Sequence, residues 1–169
     1  MKERPMRALT ILQPWASLIV AGIKGVENRT WMPPRDMIGQ RFAVHAGRKL
    51  DMESFTELHH GMCGFKREQW PYAKPNLFPV GAVIGVATLH NYVRGDGTVE
   101  PGPEDHAMLA REPWRSLTAR ERPWYFGPVG FVLLDPRQVE PVPCKGALGF
   151  WTLPDDVADR VAEQLARAP

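Results

Sequence analysis

Gln13-Pro14-Trp15-Ala16-Ser17-Leu18-Ile19, continued two residues later by Gly22-Ile23-Lys24-Gly25-Val26-Glu27-Asn28-Arg29-Thr30-Trp31, is the stretch on which the fold turns. Pro14 suits a first helical position, where its missing N–H would have no partner anyway. Trp15, Leu18, Ile19 and Ile23 recur at helical spacing, and Gly22 supplies a C-terminal stop. These signs predict a short helix over residues 14–21. From Gly25 the pattern changes to alternation: Val26, Asn28 and Thr30 point one way, and Glu27, Arg29 and Trp31 the other. Lys24 sits just past the helix end. A cation, a carboxylate, a guanidinium and an indole therefore converge on one helix–turn–strand unit.

Outward from this unit, residues 7–12 and 41–46 read as strands, and Pro33-Pro34 ends the alternating segment. Asp51 can cap a helix with Met52, Phe55 and Leu58 inward and Gly61 at its end. Residues 80–93 form a long apolar, β-branched run. Residues 126–134 and 148–153 are further strands, with Asp135-Pro136 as a turn between them. Asp155 caps a C-terminal helix, about 155–167, carrying Val157, Val161 and Leu165 on one stripe. The polar, Pro- and Gly-rich segment 94–122, with a helical turn at 104–111, is long for a loop, and such loops are usually functional lids or disordered. Strands and helices do not alternate regularly. The order β-α-β-β-α-β-loop-β-β-α thus predicts an α+β, mostly β protein: a small, partly closed β-barrel with peripheral helices, in one domain spanning 1–169.

Composition excludes several classes. The chain has 169 residues, a net charge of +2 and 44% apolar residues, so it is neither a disordered tail nor a strongly basic coat protein. Its first 50 residues hold nine Lys or Arg against three acids, a net of +6; the rest carries −4. A basic first third suits a polyanion. No signal peptide and no apolar run of membrane-spanning length is present, which points to a cytoplasmic protein with Cys63 and Cys144 reduced. Seventeen prolines locate turns, and six tryptophans exceed what the core needs, so some are candidates for a recognition surface.

Three clusters carry possible chemistry. In Lys24, Glu27, Arg29 and Trp31, the indole can stack on a planar ligand, the carboxylate can accept from an exocyclic amine, and the cations can take phosphate or carbonyl oxygens. The plain structural alternative places Trp15 and Trp31 in the core and pairs Glu27 with Arg29 or Lys24 at the surface, worth ~0–1 kcal/mol. In His45-Ala46-Gly47-Arg48-Lys49, a strand delivers His45 and a turn at Gly47 presents two cations to a phosphate; the plain alternative is a solvated basic loop with His45 satisfied inside the barrel. In Arg120-Glu121-Arg122-Pro123-Trp124-Tyr125-Phe126, alternation sets Trp124 and Phe126 on one face and Tyr125 on the other, with Trp124 as the residue facing a ligand. His59, His60 and Cys63 lack the spacing of a zinc site, and no metal, cofactor or dinucleotide motif is present. No metal and no cofactor is expected.

The segment 9–31 resembles the signature of the ASCH (activating-signal-cointegrator homology) family, a branch of the PUA-like superfamily: a strand, a Q-P-W-A helix, then G-x-K-x-x-E-x-R-x-W. Phe42-Ala43-Val44-His45-Ala46, Pro79-Val80-Gly81-Ala82-Val83-Ile84-Gly85 and Lys145-Gly146-Ala147-Leu148-Gly149-Phe150-Trp151 resemble later family blocks in the same order. The resemblance implies a PUA-like barrel with helices around it and a cleft that takes RNA, DNA or a nucleobase. Single-stranded nucleic acid or an extruded or modified base in a cleft is the function expected. Lys24, Glu27, Arg29, Trp31, His45, Arg48, Lys49 and Trp124 are its expected contacts. Some bacterial relatives resemble amidohydrolases of N4-acylated cytidine and carry a lysine with a threonine three residues on. Lys24 matches the lysine and Glu27 replaces the threonine, so a hydrolase of a modified nucleobase or of RNA, with Lys24 and Glu27 as its working pair, is the alternative. A protein-interaction module using the 94–122 segment is the second.

Overall fold

A short, mostly apolar run along Arg7–Gln13 makes strand β1, buried on both faces at Ala8 and Leu9 and again at Ile11. The computed structural model describes residues 5–72, 74–95 and 117–167. After β1 come helix α1 (Trp15–Val20), strand β2 (Val26–Arg29), strand β3 (Arg41–Leu50), helix α2 (Met52–His59), strand β4 (Ala82–Arg94), strand β5 (Val129–Pro143), strand β6 (Phe150–Thr152) and helix α3 (Asp155–Arg167). This is the expected order of elements. The strands follow the hydrogen-bonded order β2-β5-β4-β3-β1-β6. β1 pairs parallel with β3 and antiparallel with β6, and β2 pairs antiparallel with β5. The result is a mixed, mostly β fold whose sheet is partly closed, because β2 and β6 do not pair with each other.

Contacts divide the chain into two compact units. The first holds 1–23, 41–87 and 135–169; the second holds 24–40 and 88–134. In the first, Ala8, Ala43, Val83, Val86, Val139, Val142 and Leu153 form a cluster that Val157 and Val161 of α3 complete. The Val157–Val161–Leu165 spacing of four residues puts one face of α3 on the strands. Gln164 fastens the helix by accepting from the Glu140 N–H at 2.7 Å and donating to the Glu140 carbonyl at 3.1 Å. Asp155 is the first residue of α3, not its cap, and with Asp156 it places carboxylates at the positive end of the helix dipole. Asp51 does cap α2, accepting from Ser54 N at 3.0 Å.

α1 is ended as its glycine predicts. Gly22 has φ of +73°, its N–H reaches the Ile19 carbonyl at 2.9 Å, and the Ile23 N–H reaches Leu18 at 2.9 Å. This is a Schellman closure, which needs a left-handed residue at Gly22. Its start differs from expectation: Pro14 is the capping residue, joined by a cis bond, and the helix begins at Trp15. The cap comes from Gln13, which is fully buried; its side-chain carbonyl accepts from Ser17 N at 3.1 Å and its amide donates to the Pro79 carbonyl at 2.7 Å.

Four local expectations are corrected. Gly47 is not in a turn: β3 continues to Leu50, and the pairing shifts from Ile11–Ala46 to Gln13–Leu50, so β3 carries two extra residues as a bulge at 47–49. Asp135-Pro136 is not a turn either, because β5 runs through it, with Asp135 at a φ of +49°. Residues 124–126 precede β5, and Trp124 closes a short 3-10 turn (Arg122–Trp124), so strand alternation does not govern them. Met52, expected to pack inward from α2, is 52% exposed, whereas Leu58 is buried. The expected helical turn at 104–111 lies outside the described residues.

Candidate nucleic-acid interface

In the second unit, the turn after α1 and the four residues of β2 build a chain of charge. Lys24 Nζ donates to Glu27 Oε2 at 2.8 Å and to the Val26 carbonyl. Glu27 Oε1 lies 3.1 Å from Arg29 Nε. Lys24 is 3% exposed and Glu27 7%. Strand alternation puts Glu27 and Arg29 on the same face, and Lys24 reaches back to Glu27 across three residues. The pairing expected at the surface is therefore a buried one, which alters its energetics. In a low-dielectric setting the ammonium is tolerable only because the carboxylate and a carbonyl satisfy it.

Arg29 retains access to solvent: its side chain is 20% exposed. Its guanidinium carbon lies 5.8 Å from the centroid of the Trp31 ring, within cation–π range. Trp31 is half-buried and meets the edge of Phe131 at 5.3 Å between centroids. Glu27 thus lies beside the Nε edge of Arg29, and the Trp31 ring lies within cation–π reach of the guanidinium.

Asn28, on the opposite face of β2, has a role that sequence reading missed. Its side-chain amide donates to the Trp124 carbonyl at 2.8 Å, and its side-chain carbonyl accepts from the Phe126 N–H at 2.8 Å. The segment 124–126 is thereby clamped to β2. Trp124 itself is buried, 5% exposed, and Phe126 is 53% exposed. Gly130 admits this arrangement: a Cβ there would lie 2.7 Å from the Tyr125 ring and 2.8 Å from Val26. An asparagine between two charged residues was the only sequence cue, and alone it signals nothing.

The first unit holds His45, Arg48 and Lys49. His45 is 2% exposed. Its Nε2 donates to the Cys144 carbonyl at 3.1 Å, since a carbonyl only accepts; its Nδ1 then accepts from Thr10 Oγ1 at 3.2 Å. Trp151 Nε1 donates to Thr10 Oγ1 at 3.1 Å, and the His45 and Trp151 rings meet edge to face at 5.5 Å. Burial pushes the His45 imidazole below its ordinary pKa, against the opposing pull of the Cys144 carbonyl, so the ring is neutral near pH 7. Arg48 and Lys49 are both exposed on the β3 bulge. The structure therefore sorts the eight expected contacts: Lys24, Glu27, Arg29, Trp31 and Trp124 fall in the second unit, and His45, Arg48 and Lys49 in the first.

The family model described as ASCH domain matches residues 9–95, which is half of the chain, and both the helix and the charged network lie inside it. The chain belongs to the ASCH domain family. Activating signal cointegrator 1 of Mus musculus and of Homo sapiens are each 32% identical to this ASCH chain over 81 residues, or 48% of it. The chain spans 13% of the length of these two relatives. The fold also matches solved structures. The ASCH protein from Zymomonas mobilis gives a TM-score of 0.52 at 16% identity, over 95% of this chain and 96% of that one. A tyrosine-to-phenylalanine mutant of the same Zymomonas protein gives 0.52 at 17% identity, over 95% and 98%. Among the described residues no group of three or more His, Cys, Asp or Glu side chains is placed to hold a metal ion, and no helix is long and apolar enough to cross a membrane.

Proposed function

We propose that this ASCH domain binds single-stranded nucleic acid, or a base extruded from a strand, on the Arg29–Trp31 platform of the second unit. The observation that carries the reading is the order of that network. Arg29 alone among its three charged members is half-buried rather than buried, and it lies beside a buried carboxylate and an indole ring. A guanidinium in this setting can grip a phosphate with little further loss of conformational freedom, and the indole beside it can stack on any base. Glu27 and Lys24 act as anchors: Glu27 orients Arg29, and Lys24 neutralises Glu27. The clamped 124–126 segment adds the exposed ring of Phe126 to the same unit. In the first unit, Arg48 and Lys49 on the β3 bulge are phosphate contacts, and His45 supports the bulged strand rather than charging it.

A net charge of +2 gives little non-specific attraction to a duplex, whereas stacking tolerates a modest charge. The test is fluorescence anisotropy with short RNA and DNA oligonucleotides, single-stranded and as matched duplexes. Single strands should bind at least ~10-fold tighter than the duplex, and Trp31→Ala should remove most of that preference, as expected for the loss of one stacked base. Equal binding of strand and duplex by the wild type would overturn the reading.

A further inference from the structure

The first unit contains a cavity of about 540 Å³ lined by Thr10, His45, Gly47, Arg48, Gly81 and the segment Cys144–Leu148. None of these residues belongs to the Arg29–Trp31 unit. Nucleotide-sized ligands fit cavities in this range.

Its floor is built and charge-neutral. Trp151, Thr10, His45 and the Cys144 carbonyl form one hydrogen-bonded relay in which both nitrogens of His45 are engaged. Gly146 lies directly over that relay: a Cβ on it would fall 2.6 Å from His45 Cε1 and 2.8 Å from Thr10 Oγ1. The segment between β5 and β6 can seat itself on the histidine only because residue 146 has no side chain. Gly81 lies beside the Arg48 stem, where a Cβ would make only ordinary contact with Cγ and Nε at 3.7 Å; what favours glycine there is its φ of +65°. The walls at Gly47, Gly81 and Gly146 are thus bare backbone, suited to the flat face of a ring.

The rim is cationic and apolar at once. Arg48 and Lys145 are exposed, and neither has an ion-pair partner among the described residues. Leu148 is 98% exposed, an apolar side chain held in water beside the cavity. Two cations and a projecting leucine around a glycine-walled hollow call for a ligand with an anionic end and an apolar, planar body.

We propose that this cavity is a second nucleotide site, in which Arg48 and Lys145 hold the phosphate and the Gly146–Leu148 segment covers the base. The inference rests on the nucleic-acid reading above in naming a nucleotide as the ligand, and it adds a phosphate-anchored subsite with Lys145 and Leu148 as new contacts. The shared chemistry is a phosphate monoester on a nucleoside, carried by a free nucleotide or by the terminal residue of a strand.

The test is calorimetric titration of the full chain with AMP, UMP, the matching nucleosides and inorganic phosphate. A parallel anisotropy assay uses a single-stranded oligonucleotide with and without a 5′-phosphate. The monophosphates should bind ~10-fold or more tightly than the nucleosides, and Arg48→Ala and Lys145→Ala should each remove that advantage, because a charge-assisted phosphate contact is lost. Both positions are exposed, and unchanged melting curves would confirm intact folding. A 5′-phosphate that tightens oligonucleotide binding in the wild type but not in Lys145→Ala assigns the site to strand ends. Monophosphate binding without that effect assigns it to free nucleotides. Monophosphates that fail to bind, or that bind no better than nucleosides, overturn the inference. Oligonucleotide binding that still depends on Arg29 would then leave the strand-binding reading standing.

Discussion

Lys24 Nζ donates to Glu27 Oε2 across 2.8 Å, and both residues are buried. Removing one member of such a pair leaves the other as an uncompensated buried charge, which costs ~3–5 kcal/mol. Glu27→Gln, which strands the Lys24 ammonium, should lower unfolding free energy by that order in urea titrations, and Lys24→Met should cost less, because Glu27 keeps Arg29 beside it. The double variant Lys24→Met/Glu27→Leu should cost far less than the sum, because no charge is stranded. Additive losses would show that the two side chains do not depend on each other.

The pH dependence of stability should report His45. Its folded pKa lies below the ordinary value, set by burial first and opposed by the Cys144 carbonyl. The neutral ring is therefore what the fold stabilises. This contribution is complete above the unfolded value of about 6.5 and is lost as pH falls from there through the folded pKa, with a slope of at most ~1.4 kcal/mol per pH unit. Urea midpoints measured between neutral pH and the acid limb should decline for the wild type more steeply than for His45→Gln. Identical profiles would remove His45 from the account.

Much of the frame was legible in the sequence because it follows from short-range periodicity. The helical spacing of Trp15, Leu18 and Ile19, the stop at Gly22 and the period of two through Glu27 and Arg29 are local facts, and they yielded both α1 and the shared face of the charged residues. What was not legible depends on partners distant in sequence. Asp135-Pro136 reads as a turn, yet β5 continues through it, with Asp135 in the left-handed region as a kink inside one strand. Gly47 reads as a turn glycine, yet it sits in a bulge whose register is set by β1. The burial of Lys24 could not be inferred, since a lone lysine reads as surface until its carboxylate is buried with it. Gln13 and Asn28, the two polar residues that fasten α1 and the 124–126 segment, carry no sequence signal of that role.

Gly130 should resist substitution. A Cβ there falls 2.7 Å from the Tyr125 ring and 2.8 Å from Val26 Cγ1, so Gly130→Ala must displace a ring or bend β2 away from β5. Overpacking of this kind costs ~1–3 kcal/mol. Thermal melts should show Gly130→Ala clearly destabilised. Gly39→Ala, which meets nothing within 4 Å, should show only the smaller cost of its positive φ. Equal effects at the two positions would mean that the Tyr125 contact is loose.

Asn28→Ala should release the 124–126 segment by removing one donor and one acceptor. The two lost hydrogen bonds, one part-buried and one exposed, predict a loss of ~0.5–1.5 kcal/mol. Faster hydrogen exchange at Phe126 should accompany it, and unchanged exchange would place the clamp elsewhere.

The central claim is that Arg29, half-buried beside Glu27 and Trp31, is the phosphate-binding cation of a strand-binding platform. Its most direct test is the salt dependence of single-stranded oligonucleotide binding in wild type and Arg29→Ala, both shown to be folded. The account predicts that Arg29→Ala weakens binding by ~1–3 kcal/mol and lowers the slope of log K against log salt by about 0.7, the share of one phosphate contact on a single strand. Equal affinity and an equal slope in the two proteins would contradict it.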